Sequence, residues 1–159
     1  MTTAPRHRLR PLSPEEFSAY RESFIQDWAL DLARVEHLPP GEAIAQATLR
    51  TDASLPGGLA TPGHHLLAIL CGDERVGTLW FSVGAEGRAF LDDLTIHAPF
   101  RRLGHGKAAL ELLEHEALEL GLFRIDLHVY RDNPGAVALY QALGYAVTGL
   151  RMRKTLRQK

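Results

Sequence analysis

Residues 101–107, Arg-Arg-Leu-Gly-His-Gly-Lys, stand between a strand-like run (89–96) and a strongly amphipathic helix (106–120). No other stretch constrains the fold as much. Gly104 and Gly106 let the backbone turn tightly and approach a ligand closely. Free amides at a helix start attract anions, and Arg101, Arg102 and Lys107 add positive charge at the same corner. The stretch reads as a strand-to-helix corner able to hold phosphate.

The flanking sequence supplies the elements that such a corner must join. Residues 6–12 read as a first strand. Ser13-Pro14-Glu15-Glu16 is a helix start, with an N-cap serine, a proline at the first helical position and a glutamate completing a capping box. Phe17, Tyr20, Phe24, Trp28 and Leu32 then recur at spacings of three and four, an apolar stripe on a helix running to about Glu36. Pro39-Pro40-Gly41 breaks it, and a second helix is predicted over 42–50 with Ala43, Ile44 and Ala47 facing inward. Pro56, Gly57, Gly58, Pro62 and Gly63 make 52–63 a loop, either a gate or an ordinary connection. Runs at 64–70 and 75–83 read as strands around a turn at Gly72-Asp73. Val76, Leu79, Trp80, Phe81 and Val83 suit a central strand covered on both faces. The helix over 106–120 would bury Ala109, Leu110, Leu113, Ala117 and Leu120 and stop at Gly121. A strand at 124–129, a helix at 134–143 ended by Gly144, and a strand at 145–150 continuing through 152–156 complete the order β-α-α-β-β-β-α-β-α-β. That order predicts a mixed sheet with helices on both faces.

Composition removes several classes of function. The 159 residues suit one domain, able to bury roughly 70% of its unfolded surface without disulfides. A net charge of −1 with a pI near 6.7 provides no global field toward nucleic acid or an anionic membrane. The single cysteine, Cys71, cannot form an intrachain bridge, which fits a cytoplasmic location, and it reads as a packing residue rather than an acyl carrier. Residues 1–11 hold no apolar signal segment and no apolar run nears membrane-spanning length, so neither secretion nor membrane insertion is expected. The eight histidines follow no ligand spacing. His64 and His65 point to opposite strand faces, His115-Glu116 lacks the second histidine of a zinc helix, and His97 and His128, candidates to line a cleft, fit structural or surface roles better. No metal is expected.

Two phosphate-binding patterns fit the corner poorly. A P-loop would need glycine at Arg101 and a hydroxyl at Ala108. Gly104-His105-Gly106-Lys107-Ala108-Ala109 matches a dinucleotide fingerprint, with Asp126 at the ribose position. However, residues 97–103 part the strand from the first glycine, and too little chain follows Asp126 for a doubly wound sheet.

The wider stretch fits a third pattern. Ile96-His97-Ala98-Pro99-Phe100-Arg101-Arg102-Leu103-Gly104-His105-Gly106-Lys107 resembles the acetyl-CoA loop of the GNAT superfamily of N-acetyltransferases. Asn133-Pro134-Gly135-Ala136-Val137-Ala138-Leu139-Tyr140-Gln141-Ala142-Leu143-Gly144-Tyr145 resembles that superfamily's N-x-x-A-x-x-L-Y-x-x-x-G-[FY] segment. Two motifs in the right order are far more specific than either alone. Thr61-Pro62-Gly63-His64-His65 is also similar to an uncharacterised bacterial branch.

The resemblance implies an α/β fold with a mostly antiparallel sheet, one splayed parallel strand pair (89–96 with 124–129) and helices on both faces. It implies one domain over 1–159, with an acceptor-side half (1–88) and cofactor motifs in 89–150. Acetyl-CoA is the implied donor. Its pantetheine would lie along the backbone of Leu94, Thr95 and Ile96, and its diphosphate on the amides of Arg102, Leu103, Gly104, His105, Gly106 and Lys107. Arg101 and Arg102 are candidates for phosphate or ribose contacts. Tyr140 stands at the general-acid position, and Asn133 caps its helix while reaching pantetheine. Asp92 is the candidate base, with Asp93 the runner-up, and either carboxylate would need burial or a water relay to act on an ammonium group. Strand alternation points the two to opposite faces unless a bulge intervenes. Tyr20, Trp28 and Trp80 are candidate acceptor contacts. The implied reaction is direct acetyl transfer to a primary amine, and the alternative is a non-catalytic acyl-CoA-binding domain. A homodimer is compatible by analogy with such folds.

Overall fold

Strand β1 (His7–Pro11) runs almost directly into helix α1 (Pro14–Glu36) through a complete capping box. Glu16 N–H donates to Ser13 Oγ at 3.1 Å, and Ser13 N–H donates to Glu16 Oε2 at 2.8 Å. Arg10 grips the same carboxylate with two hydrogen bonds of 2.8 and 3.0 Å, tying the helix start to the strand before it. These local interactions aim α1 across the sheet.

The computed structural model describes residues 6–156, so the extreme ends of the expected domain (1–5 and 157–159) lie outside the described residues. The chain divides into two compact units, the first ending at His128 and the second starting at Val129. In the first unit α1 is followed by α2 (Pro40–Ser54), a short 3-10 turn (Gly58–Ala60), β2 (His64–Cys71), β3 (Glu74–Val83), β4 (Arg88–Ile96), a second 3-10 turn (Ala98–Phe100), α3 (His105–Glu119) and β5 (Arg124–Leu127). The five strands form one sheet in the order β1-β2-β3-β4-β5. Every neighbouring pair is antiparallel except β4 and β5, which run parallel. The α/β fold therefore matches the expected mixed, mostly antiparallel sheet.

Alternation along the strands separates two packed faces. Leu66, Ala68, Leu70 and Trp80 meet Leu12, Tyr20 and Leu55 on one face, with Phe17 and Phe24 against them. Ile25, Ala29 and Leu32 of α1 pack on Ala43 and Ala47 of α2, whose small side chains let the helices approach closely. Ile69, Leu79 and Phe81 are buried by the opposite alternation, and α3, which contacts β1, β4 and β5, buries Ala109, Leu110, Leu113 and Ala117. Strand β3 is buried continuously from Val76 to Phe81, as a central strand covered on both sides must be.

Several boundaries differ from the sequence expectation. Helix α2 covers Pro40–Ser54, not 42–50, because a proline in the first turn needs no amide partner. At its other end the buried Thr51 hydroxyl donates to Ala47 O at 2.7 Å, which satisfies a polar group inside the core. Ile44 is exposed, off the line set by Ala43 and Ala47. The expected loop therefore shortens to 55–63. Thr61 pins it, accepting from Gly57 N–H at 3.0 Å and donating to Gly58 O at 2.8 Å. Leu120 is 49% exposed rather than buried, since it sits at the C-cap. Gly121 takes φ 74°, and Leu122 turns back to donate its N–H to Ala117 O at 2.8 Å, so Leu122 fills the apolar site. No described helix is long and apolar enough to cross a membrane.

The second unit holds helix α4 (Pro134–Ala142), followed by Gly144 at φ 90°. The strand expected at 145–150, with its continuation through 152–156, is absent among the described residues. A strand exists only where a neighbouring backbone pairs with it, and the described residues of this unit contain no other strand.

Gly77 marks the tightest approach in the sheet, since a Cβ there would lie 2.2 Å from Thr95 O in β4. Gly77→Ala is expected to destabilise the fold by ~2 kcal/mol or more, as overpacking against backbone does. Gly41→Ala, at a helix position with nothing within 4 Å, should be neutral or stabilising, and urea denaturation of both variants checks the contrast.

Candidate active site

The glycine corner has the backbone that the sequence demands. Arg102 takes φ 63° and Gly104 takes φ 85°, both left-handed, and Gly104 serves as the N-cap of α3. A non-glycine residue in that region is strained, so the turn before α3 is held by its surroundings. Helix α3 receives no side-chain cap and carries no acid in its first turn, whereas α1 has both. The α3 amides are thus left for an external acceptor, with the positive end of the helix dipole behind them. Arg101 folds back, its Nε donating to Ile96 O at 3.0 Å. Arg102 and Leu103 are exposed, and Lys107 lies 3.9 Å from Glu111. The ring of His105 turns away toward β1, where its Nδ1 lies 2.7 Å from His7 Nε2.

The strand leading to this corner opens on one side. The β4–β5 ladder pairs Arg88 with Arg124 through Leu91 with Leu127 and ends there. Beyond it, Leu94, Thr95 and Ile96 still pair with Leu79, Thr78 and Gly77 of β3. Among the described residues of this unit their other edge has no strand partner, which leaves backbone groups of β4 unpaired beyond the end of the ladder.

A bulge sits where the β4–β5 ladder ends. Trp80 opposes Asp93 while Phe81 opposes Leu91, so Asp92 is the extra residue. Both carboxyls consequently act on the buried phenol of Tyr20 in α1, which burial and these charges push well above its usual range. Tyr20 and Thr95 hydroxyls each donate to Asp93 Oδ2 at 2.9 Å. Burial raises Asp93 from 3.8 to about 6, helped by Asp27 and opposed by those two donors. Burial also raises Asp92 to about 6, with the charge of Asp93 adding and the Ser82 hydroxyl opposing. Asp92 Oδ2 is buried and accepts no hydrogen bond among the described residues.

Beside this pair lies a cleft of about 260 Å³ lined by Tyr20, Ser23, Phe24, Asp27, Arg75, Thr78, Thr95 and His97. Asp27 and Arg75 were not singled out in the sequence, because only the crossing of α1 over β3 and β4 brings them together. Of the three aromatic candidates, Tyr20 borders the cleft. Trp80 is buried in the core and donates its Nε1–H to His64 Nδ1 at 3.0 Å. Trp28 packs toward α2, with the Arg50 guanidinium 5.9 Å from its ring centroid. Asp126, the ribose-binding candidate of the dinucleotide pattern, pairs with Arg124 at 3.0 Å.

The second unit carries the remaining two candidates. Asn133 caps α4, its Oδ1 accepting from Ala136 N–H at 3.3 Å. Tyr140 packs edge-on against Tyr145 with ring centroids 5.7 Å apart, and Tyr145 N–H donates to Tyr140 O at 3.0 Å.

The acetyltransferase (GNAT) family model matches residues 14–145, a span that includes both motifs. The chain belongs to the GNAT family. It is 33% identical to the uncharacterised N-acetyltransferase YdgE of Bacillus subtilis over 152 residues, covering 93% of this chain and 97% of that protein. The uncharacterised N-acetyltransferase YycN of the same organism is 32% identical over 153 residues, with 93% and 97% coverage. The crystal structure of YycN superimposes with a TM-score of 0.91 at 30% identity, covering 96% of this chain and all of that one (100%). The aminoglycoside N-acetyltransferase AAC(6')-Iy, solved in complex with CoA, shares the fold at a TM-score of 0.61 and 13% identity, with 99% of each chain covered.

The acid pair of this family member has a thermodynamic signature. A carboxyl whose folded pKa lies above its unfolded value binds more protons when folded. Its stabilising contribution is therefore complete below 3.8 and is lost as pH rises toward about 6. Thermal melts of Asp93→Asn should show a weaker fall in stability across that window than the parent protein. Parallel curves would mean that Asp93 titrates normally.

Proposed function

We propose that this protein transfers the acetyl group of acetyl-CoA to a primary amine by direct attack within a ternary complex, with both units acting as one acetyltransferase domain. The observation that carries the reading is the end of the β4–β5 ladder at Leu91–Leu127, immediately before a bulged acid pair on the strand that leads into an uncapped helix start. Parted strands offer backbone groups to the amides of pantetheine, and the α3 amides suit a diphosphate. The CoA complex of the aminoglycoside enzyme, which shares this fold, adds support.

In this reading the backbone of Leu94, Thr95 and Ile96 holds pantetheine, and residues 102–107 hold the diphosphate. Arg101 and Arg102 supply charge at its rim. The amine acceptor enters the cleft under α1, where Asp27 and the buried acid pair favour a cationic group. Once deprotonated, its neutral nitrogen attacks the thioester carbonyl, the C–S bond breaks, the thiolate takes a proton from Tyr140, and the second proton lost by the nitrogen restores that phenol. The amine proton passes through water to Asp92, whose pKa near 6 leaves it ionised yet more basic than an ordinary carboxylate. Asp93, held by Tyr20 and Thr95, keeps that pKa raised and faces the acceptor side. Asn133 orders the helix that carries Tyr140 and reaches pantetheine.

Thiol release from acetyl-CoA in the presence of an amine library tests the reaction. CoA binding with no turnover on any amine would instead favour a non-catalytic acyl-CoA-binding domain. Tyr140→Phe is expected to lower kcat by about 100-fold, the lower range for a general acid, while leaving CoA affinity nearly unchanged. An unaltered kcat would remove Tyr140 from the mechanism. The rate profile should also carry an acid limb near the Asp92 value of about 6. Asp92→Asn should abolish that limb, whereas Asp93→Asn, by removing a neighbouring charge, should move it to lower pH. The reverse pattern would make Asp93 the base.

A further inference from the structure

His7, Cys71 and His105 come from distant parts of the chain, yet their donor atoms all lie within 4.8 Å of one another. His7 and Cys71 are directly opposed residues of the antiparallel β1–β2 pair, so their side chains share one face. The matched alternation puts them on the Ile69 face, the side against which α3 packs. His105, the first residue of α3, completes the cluster, with its Nδ1 2.7 Å from His7 Nε2. Phe100 meets the His105 ring edge-on with centroids 6.1 Å apart, restricting its orientation.

We propose that His7, Cys71 and His105 form a binding site for a thiophilic divalent cation, with Zn²⁺ the expected occupant. Two imidazole nitrogens and one thiolate are a donor set that zinc favours. Tetrahedral zinc, with ligand bonds of about 2.0–2.3 Å, needs its donors roughly 3.3–3.7 Å apart. The donors lie within 4.8 Å of one another, with the two nitrogens 2.7 Å apart, so binding asks the nitrogens to part by less than about 1 Å. Binding needs both facing nitrogens bare. The proton shared between the rings therefore moves to the outer nitrogen of its own ring, and each imidazole stays neutral. Cys71 forms its metal–sulfur bond as its thiol proton leaves to solvent. Three protein ligands leave one position for water.

The site lies outside the proposed acetyl-transfer chemistry and does not rest on it. It touches that chemistry only through His105, whose backbone belongs to the glycine corner. A bound ion would fasten the corner to the edge of the sheet at β1 and β2. No spacing motif announces it, because residues 7, 71 and 105 meet only when β1 pairs with β2 and α3 closes over both.

Titration of the full chain with Co²⁺, a spectroscopic substitute for zinc, tests the assignment. The expected result is one Co²⁺ per chain with a near-ultraviolet sulfur-to-cobalt band, displaced by Zn²⁺. Cys71→Ser should lose that band, and His7→Ala should weaken binding at least tenfold. A wild-type spectrum without the sulfur band, or unchanged affinity in His7→Ala, would overturn the proposal in favour of a simple histidine–histidine hydrogen bond beside a packed thiol. Should a variant fail to fold, alkylation of Cys71 in the wild-type chain decides. Zn²⁺ should slow it severalfold, and an unchanged rate overturns the site.

Discussion

One inserted residue in β4 governs the arrangement around the candidate site. In an unbroken strand Asp92 and Asp93 would face opposite sides of the sheet, one carboxylate toward α1 and the other toward α3. The bulge between the Trp80–Asp93 and Phe81–Leu91 pairs removes that alternation. Both acids then act on the phenol of Tyr20. The same irregularity coincides with the last rung of the β4–β5 ladder. A bulged strand bends and twists more than its neighbours, and β5 itself ends at Leu127. The acid pairing and the end of the ladder thus fall at one point of β4.

The two principal helices use their N-termini in opposite ways. Helix α1 satisfies its first amides internally, through Ser13 and Glu16, and uses Arg10 to bind that carboxylate to β1. It serves as a rigid roof over the sheet. Helix α3 begins at a glycine with no side chain to offer and no acid nearby, after an arginine in a left-handed conformation. Unsatisfied amides and local strain are costs that a purely structural helix start would avoid. In the proposed reading they mark the place where the cofactor's anionic group is held. The buried acids are a similar cost, since desolvation opposes their charge and the Tyr20, Thr95 and Ser82 hydroxyls and the Leu94 backbone offset it in part.

Features encoded by neighbours in sequence were legible from the residues. The capping box at Ser13, the stripe on α1, the buried alanines of α2, the continuous core of β3 and the Gly121 stop all depend on contacts within a few positions. The family motifs were legible for the same reason, since each is contiguous. Other expectations failed where the outcome depends on what lies alongside. Ile44 is exposed because Ala43 and Ala47 already face α1. Leu120 yields its apolar place to Leu122 across the helix-ending turn. Residues 145–150 have strand-like composition, but their own unit offers no backbone to pair with.

The residues alone specified the order of elements as far as α4, the glycine corner and the family to which they point. Those are properties of short segments, where backbone preference, apolar period and turn chemistry act over a few residues. Only the tertiary structure decided that Asp92 and Asp93 share a neighbour in Tyr20, that Asp27 and Arg75 line one cleft, and that His7, Cys71 and His105 converge. Each of these contacts joins residues far apart in the chain. Their proximity is set by sheet register, by one bulge and by the crossing of helices over strands, none of which any single segment encodes.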